Sequence, residues 1–309
     1  MKAEPILVVQ HVSKSFGNVH VLDDVSFSLS RGEMVGLIGA SGSGKSTLIR
    51  TIAALTPIDR DPNNSTPGAI RLFDQAIQQN GAITRAASGL RSCVGVVFQQ
   101  FNLVPRLSVL MNVCLGLLGR MSVIPATFGY FTHDQKVRAM SALKRVGIAE
   151  HALKRGSQLS GGQQQRAAIA RTLVQNAEII IADEPIASLD PSSARRVMDI
   201  LADLNERDNI TVLVSLHQVE YAMRYCPRTI ALRGGKIVYD GPSSALTPQF
   251  LNSLYGAESE DLFLTPIEPF AAPVQADTKP AANGAVVNGH LAAIDQQRAA
   301  RNSARHMNA

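Results

Sequence analysis

Apolar and polar positions alternate in two different rhythms along the first 256 residues. Stretches 6–12, 25–29, 34–38, 69–73, 93–98, 179–182, 211–215, 229–232 and 236–239 are rich in Val, Ile and Leu and read as strands. Two of them, IIIA at 179–182 and TVLVS at 211–215, are unbroken apolar or β-branched runs, as expected of strands covered on both faces. Longer stretches between them, after Lys45 and over 163–175 and 192–206, carry a helical pattern. This alternation predicts an α/β fold around a mainly parallel central sheet. Residues 102–157 break it and read as wholly helical. There Thr132 and Gln135 have capping-box spacing, Val137, Met140, Leu143 and Val146 follow at helical intervals, and Gly147 ends the run. An inserted helical subdomain is the expected result. There is no internal repeat and no heptad run.

Composition adds a boundary. Residues 271–309 contain no aromatic side chain and are dominated by Ala, Asn, Gln and Pro. So little apolar surface cannot offset the entropy of ordering, so 257–309 is expected to be a low-complexity, disordered tail after a folded body of 1–256. Within it, 291–305 is the stretch whose Ala, Gln and Arg favour a helix.

Charge narrows the partners without choosing one. The chain has 30 Lys and Arg against 25 Asp and Glu, a net +5. The last 53 residues hold four basic and six acidic groups, so they carry −2 and the body carries +7. A basic body can meet nucleic acid, an anionic membrane face or anionic ligands such as nucleotides. No apolar run approaches the roughly 20 residues needed to cross a bilayer. The N-terminus has an acid at Glu4 and no cleavable apolar region, so no signal peptide is expected. Cys93, Cys114 and Cys226 are scattered and lack metal-ligand spacing, which points to reduced thiols in a cytosolic protein.

The chemistry concentrates in short motifs. GASGSGKS at 39–46 follows the strand-like MVGLI and precedes TLIRTIAAL, the strand–loop–helix context of a P-loop. Glycines at 39, 42 and 44 let backbone N–H groups curl around phosphate oxygens, and the helix N-terminus adds its positive end. Gly39, Ala40, Ser41, Gly42, Ser43, Gly44, Lys45, Ser46 and Thr47 are therefore the candidate ATP-binding residues. Lys45 is expected to reach the β- and γ-phosphates, Ser46 to ligate Mg²⁺ and Thr47 to bind phosphate. The buried run at 179–182 leads into Asp183, Glu184 and Pro185. Asp183 suits the acidic magnesium partner of a P-loop. Glu184 follows it, and strand alternation turns it elsewhere, where it can polarise the attacking water as a general base.

LSGGQQQR at 159–166 completes a pattern that resembles the ATP-binding subunits of ABC transporters. Ser160 suits a helix N-cap, and Gly161 and Gly162 allow backbone amides to approach a phosphate. The resemblance implies that Ser160, Gly161, Gly162 and Gln163 contact ATP held by the opposite subunit of a head-to-tail homodimer. It also implies that Phe16 stacks on adenine, that Gln99 reaches magnesium or the lytic water, and that Asp190 lies in a loop crossing the dimer interface. His217 then senses the γ-phosphate. The implied sets are Glu184, His217 and Gln99 for catalysis and Ser46, Gln99 and Asp183 for magnesium. The resemblance spans residues 4 to about 256 and is an α/β P-loop cassette with a mainly parallel central sheet, an antiparallel β part and the helical insert at 102–157.

Among such cassettes, VVFQQFNLVPRLSVLMNV, QLSGGQQQRAAIAR and SLHQVEYAMRYCPRTIALRGGKIVYDGP are similar to the subunits of bacterial phosphonate importers. The loop at 59–68 is longer than usual there, and Met111 stands where a capping-box Glu is common. The resemblance implies ATP and Mg²⁺ as cofactors. Two permease copies and, indirectly, a periplasmic substrate-binding protein are the implied partners, with no nucleic acid. The implied location is peripheral, on the cytoplasmic face of the inner membrane. Another oxyanion or small solute remains an alternative cargo. A soluble ABC ATPase acting on nucleic acid or ribosomes would carry a coiled coil or tandem cassettes, and neither is seen. A cassette that binds ATP without turnover would lack Glu184 or His217, and both are present.

Overall fold

The chain is described here as a computed structural model covering residues 5–61 and 65–256. The expected tail at 257–309, and the centre of the long loop at 62–64, lie outside the described residues. Strands β1 (Pro5–Phe16) and β2 (Val19–Ser30) come first, then β3 (Met34–Ile38) and α1 (Lys45–Ile52). Next come β4 (Ala69–Leu72), β5 (Gln75–Gln79), β6 (Ala82–Ile83), α2 (Ala87–Arg91) and β7 (Val94–Val97). The expected insert holds α3 (Val109–Cys114), α4 (Val123–Thr127) and α5 (His133–Arg145), with 3-10 turns between and after them. The chain continues through α6 (Gly161–Val174), β8 (Ile179–Asp183), α7 (Pro191–Asp208) and β9 (Thr211–Ser215). Helix α8 (Val219–Tyr225), β10 (Arg228–Arg233), β11 (Lys236–Pro242) and α9 (Pro248–Tyr255) close the described part.

The strands form two sheets. One is antiparallel, in the order β2-β1-β4-β5-β6; the other runs β11-β10-β3-β9-β8-β7, with β10 to β7 parallel and β11 antiparallel at one edge. All five residues of β3, β8 and β9 are buried, which is why their sequences lack alternation. Their side chains nevertheless sort by face. Val35, Leu37, Ile179, Ile181 and Leu213 join a core with β1, β2, β4 and α1, whereas Ile38, Ile180, Ala182, Val212 and Val214 join one with α3, α5, α6 and α7.

Five elements were not expected from the sequence pattern: β5, β6 and the short helices α2, α8 and α9. The pattern around β5 is polar, yet Gln78 is fully buried. Its amide accepts from Ile58 N–H at 3.0 Å and donates to Thr51 O at 2.6 Å and Thr56 O at 3.0 Å. A polar side chain thus pins the antiparallel sheet to the end of α1, a tertiary use that no period reports. Residues 99–108 are extended and turning rather than helical, although the rest of 102–157 contains only helical elements and an isolated bridge, Ser108 to Arg155. The Thr132–Gln135 capping box forms as expected. At α3, Ser108 caps Met111 N–H at 3.2 Å without a reciprocal acid.

The non-helical 99–108 segment is held by Asn112, which is fully buried. Its carboxamide accepts from Val104 N–H at 2.7 Å and donates to Val104 O, Leu107 O and Ser108 O at 3.1, 3.3 and 3.1 Å. Replacing it with Ala strands several buried backbone groups, so Asn112→Ala should destabilise the protein by about 2–3 kcal/mol. Urea or thermal denaturation measures this, and an unchanged midpoint would refute the anchoring role.

Candidate functional site

The parallel strands end level with one another. Leu37 of β3 pairs in register with Ser215 of β9, and Ser215 with Asp183 of β8. Ligands bind beyond the carboxyl ends of such strands, and the loops leaving these three supply most of the site. Beyond β3 the backbone enters the left-handed region at Gly39, Gly42 and Gly44, with φ of 149°, 76° and 106°. A Cβ on Gly39 would stand 2.3 Å from Leu232 O, and one on Gly44 2.7 Å from Val21 O. Those two positions therefore demand glycine on sterics as well as on φ.

Lys45 begins α1 and is 4% exposed. Its ammonium donates to Gly39 O at 2.7 Å and Ala40 O at 3.2 Å, so it lies across the loop it belongs to. Ser43 Oγ is buried with no hydrogen-bond partner among the described residues. Gly39 N–H donates to the hydroxyl of Tyr255, on α9, at 3.3 Å. Ser41 and Gly42 are exposed at the loop's tip, and Ala40, Ser46 and Thr47 are half-buried.

Across the strand ends a continuous hydrogen-bonded chain forms. Ser46 Oγ donates to Asp183 Oδ1 at 3.1 Å, and Ser215 Oγ donates to the same oxygen at 3.0 Å. Ser215 Oγ also accepts Glu184 N–H at 2.8 Å. Glu184 Oε1 lies 2.6 Å from His217 Nε2. Burial raises the Asp183 carboxyl above its ordinary value, and the two serine hydroxyls oppose that shift. The hydrogen bond from His217 is the main reason Glu184 moves the other way, against the cost of its own burial. The two adjacent acids are thus driven apart by their surroundings, which suits different tasks for each.

Strand alternation is not what aims Glu184. The strand ends at Asp183, and Glu184 adopts φ of 47°, a left-handed conformation costing roughly 1–2 kcal/mol for a side-chain-bearing residue. Ser215 holds its N–H in that kink. Ser215 was absent from the sequence-based candidates, although one signal was there: a polar residue closing a buried strand. Tyr255 had no sequence signal, because only the fold brings α9 to the P-loop.

The remaining candidates lie elsewhere in the chain. Ser160 caps α6 in a complete capping box with Gln163. A Cβ on Gly162 would come within 2.7 Å of Ser193 Cβ, so this glycine is required where α6 packs against the start of α7, a reason separate from phosphate approach. Asp190 caps α7, accepting from Ser192 N–H and Ser193 N–H at 3.0 Å and from Ser192 Oγ at 2.6 Å. These donors hold its carboxyl far below the usual carboxylate range. No described hydrogen bond or ion pair joins 160–163 or Asp190 to the P-loop. Gln99 is exposed beyond β7, and Phe16 is 53% exposed at the end of β1 with the Lys14 ammonium 5.4 Å from its ring centre. An accessible aromatic face is what stacking on a base requires.

Residues 22–187 match the family described as ABC transporter. The chain is 56% identical over 250 residues to the phosphonates import ATP-binding protein PhnC of Stutzerimonas stutzeri, covering 81% of this chain and 89% of that one. It is 51% identical over 263 residues to the phosphonates import ATP-binding protein PhnC of Caulobacter vibrioides, covering 85% and 98% respectively. Among solved structures it resembles the dimeric post-hydrolysis state of the ATP-binding cassette MJ0796 bound to ADP and Pi, with a TM-score of 0.64 and 31% identity over 78% of this chain and all of that one.

A raised carboxyl has a sign. The folded chain binds the Asp183 proton more tightly than an unfolded chain would, so at neutral pH the ionised group is a cost to folding. Asp183→Asn keeps an acceptor for both serines and removes that charge. Its melting temperature should exceed wild type at pH 7, and the advantage should shrink as pH falls through the carboxylate range. A variant that melts below wild type at pH 7 would show the charge to be stabilising instead.

Proposed function

The chain belongs to the ABC transporter family as an ATP-binding cassette, and from that membership we propose that it powers a bacterial importer of phosphonates. It is an ATPase, and cassettes of this family dimerise and act on membrane permeases. The finer reading is a homodimer on two permease copies, served indirectly by a periplasmic binding protein and attached peripherally to the cytoplasmic face of the inner membrane. Among the described residues no helix is long and apolar enough to cross a membrane. The cassette is assigned to 1–256, with its helical part at 102–157. The cargo assignment is supported by the 51% to 56% identity to phosphonate importer subunits over most of this chain.

The observation that carries the catalytic reading is the hydrogen-bonded chain Ser46–Asp183–Ser215–Glu184–His217 beside the P-loop. The amides of 39–47 and Lys45 receive the phosphates, and Phe16 receives the adenine. The hydroxyl of Ser46 and the carboxylate of Asp183 form a hard oxygen pair that suits Mg²⁺, with the Gln99 carboxamide as a further oxygen. Bound there, Mg²⁺ would neutralise charge on the β- and γ-phosphate oxygens. Glu184, whose carboxyl the bond to His217 holds below its ordinary value, takes a proton from the attacking water at its carboxylate. His217 orients that carboxylate. Among the described residues no hydrogen bond or ion pair joins Ser160–Gln163 or Asp190 to this cluster, and we read them as completing a partner's site.

Glu184→Gln keeps the shape and loses the base. It should bind ATP within about threefold of wild type, lose at least about 100-fold in kcat, and accumulate as an ATP-bound dimer. ATPase assays and light scattering read both effects, and near-wild-type turnover would remove Glu184 from the role. For the cargo, a strain lacking this chain should lose growth on an alkylphosphonate as sole phosphorus source and keep growth on phosphate. Unimpaired growth on the phosphonate would turn the reading toward another solute.

A further inference from the structure

The turn before α6 carries a histidine that the nucleotide chemistry leaves unused. His151 closes the 3-10 turn Ala149–His151, and its side chain is 17% exposed. Its Nε2 lies 2.8 Å from Gln163 Nε2, and its Nδ1 is buried with no hydrogen-bond partner among the described residues. Gln163 is committed on its other side, where Oε1 accepts Ser160 N–H at 2.9 Å in the capping box. A backbone N–H can only donate, so the amide oxygen must face Ser160 and the amide NH₂ must face His151. His151 Nε2 is then an acceptor, and the ring proton resides on Nδ1. This is neutral imidazole. Imidazolium donates from both nitrogens and has no place in this chain of bonds. Turning the Gln163 amide over to meet it would set NH₂ against Ser160 N–H and open the box.

A competing acceptor stands beside the same nitrogen. Glu150 Oε1 is 3.5 Å from His151 Nε2. The other charged group nearby on α6 is Arg166, which donates to Val146 O at 3.3 Å and Gly147 O at 2.9 Å and interacts electrostatically with Glu150 and with Arg196 of α7. Helix α5 packs on the turn, but Arg138 is bonded away from it to Asn176, and Arg145 to Asp203 and Asp208. No described bond joins His133, Lys136 or Lys144 to it.

We propose that His151 is a positioning residue for the 160–163 segment. Neutral, it holds Gln163 in the box that presents the Ser160–Gly162 amides. Protonated, it turns to Glu150 and releases Gln163, so acid weakens ATP-driven closure of two cassettes. This rests on the reading of 160–163 as the segment that contacts the partner's nucleotide. The test uses the full chain with Mg-ATP from pH 8 to pH 6, reading kcat, the ATP-dependent dimer fraction and the affinity of the monomer for a fluorescent ATP analogue.

At pH 8, His151→Ala should lose about five- to tenfold in kcat and dimer fraction, the worth of one hydrogen bond, with analogue affinity within twofold of wild type. His151→Gln keeps an acceptor that does not titrate. It should match wild type at pH 8 and retain more dimer than wild type at pH 6, and Glu150→Gln should shift the acid loss of the wild type to lower pH. Contributions from His217 are common to all four proteins. A His151→Ala chain that closes like wild type, or a His151→Gln chain with the wild-type pH profile, overturns the proposal. A Glu184→Gln chain that binds the analogue but forms no dimer with ATP at pH 8 overturns the dimer reading as well.

Discussion

Asp183 places a carboxylate at the end of a strand whose five residues are all buried, and the arrangement around it is the constraint on which the site depends. A charge there is tolerated only where donors converge on it. Two do, Ser46 from the P-loop and Ser215 from β9, both on the same oxygen. They can converge because β3, β9 and β8, buried between two cores, end in register. The same carboxylate that burdens folding is the one suited to a cation. This is the trade between stability and activity expected where a buried group is kept for chemistry.

Strain collects next to this point. Glu184 sits at φ of 47°, its N–H held by Ser215 and its carboxylate by His217. Without those two bonds nothing would favour a left-handed glutamate at a strand end. The P-loop shows the complementary solution, glycine wherever the backbone must turn left or pass close to Leu232 and Val21. Lys45, folded back onto its own loop, donates to the carbonyls of Gly39 and Ala40.

The helical side of the molecule is organised by caps and buried amides rather than by charge. Asn112 closes the extended 99–108 segment, and Gln163 closes the start of α6 while reaching His151. Gly162 lets α6 approach Ser193, so the segment 160–163 and the Asp190 turn are neighbours. In both places a side-chain amide uses its donor and acceptor ends at once, which fixes its orientation.

Sequence alone determined the architecture. Local signals suffice for period, capping and P-loop spacing, because strand faces, helix starts and phosphate cradles are built from residues close together in the chain. They also singled out Ser46, Asp183, Glu184 and His217, which the fold joins in one hydrogen-bonded chain. What only the tertiary structure decided involves groups far apart in sequence: Ser215 bridging two acids, Tyr255 reaching Gly39, Gln78 joining a sheet to a helix, and His151 facing Gln163. These polar residues look ordinary in the chain, since their partners are chosen by packing. The direction of Glu184 belongs with them. It is set by a strained turn and two distant hydrogen bonds, where strand alternation had offered a simpler reason.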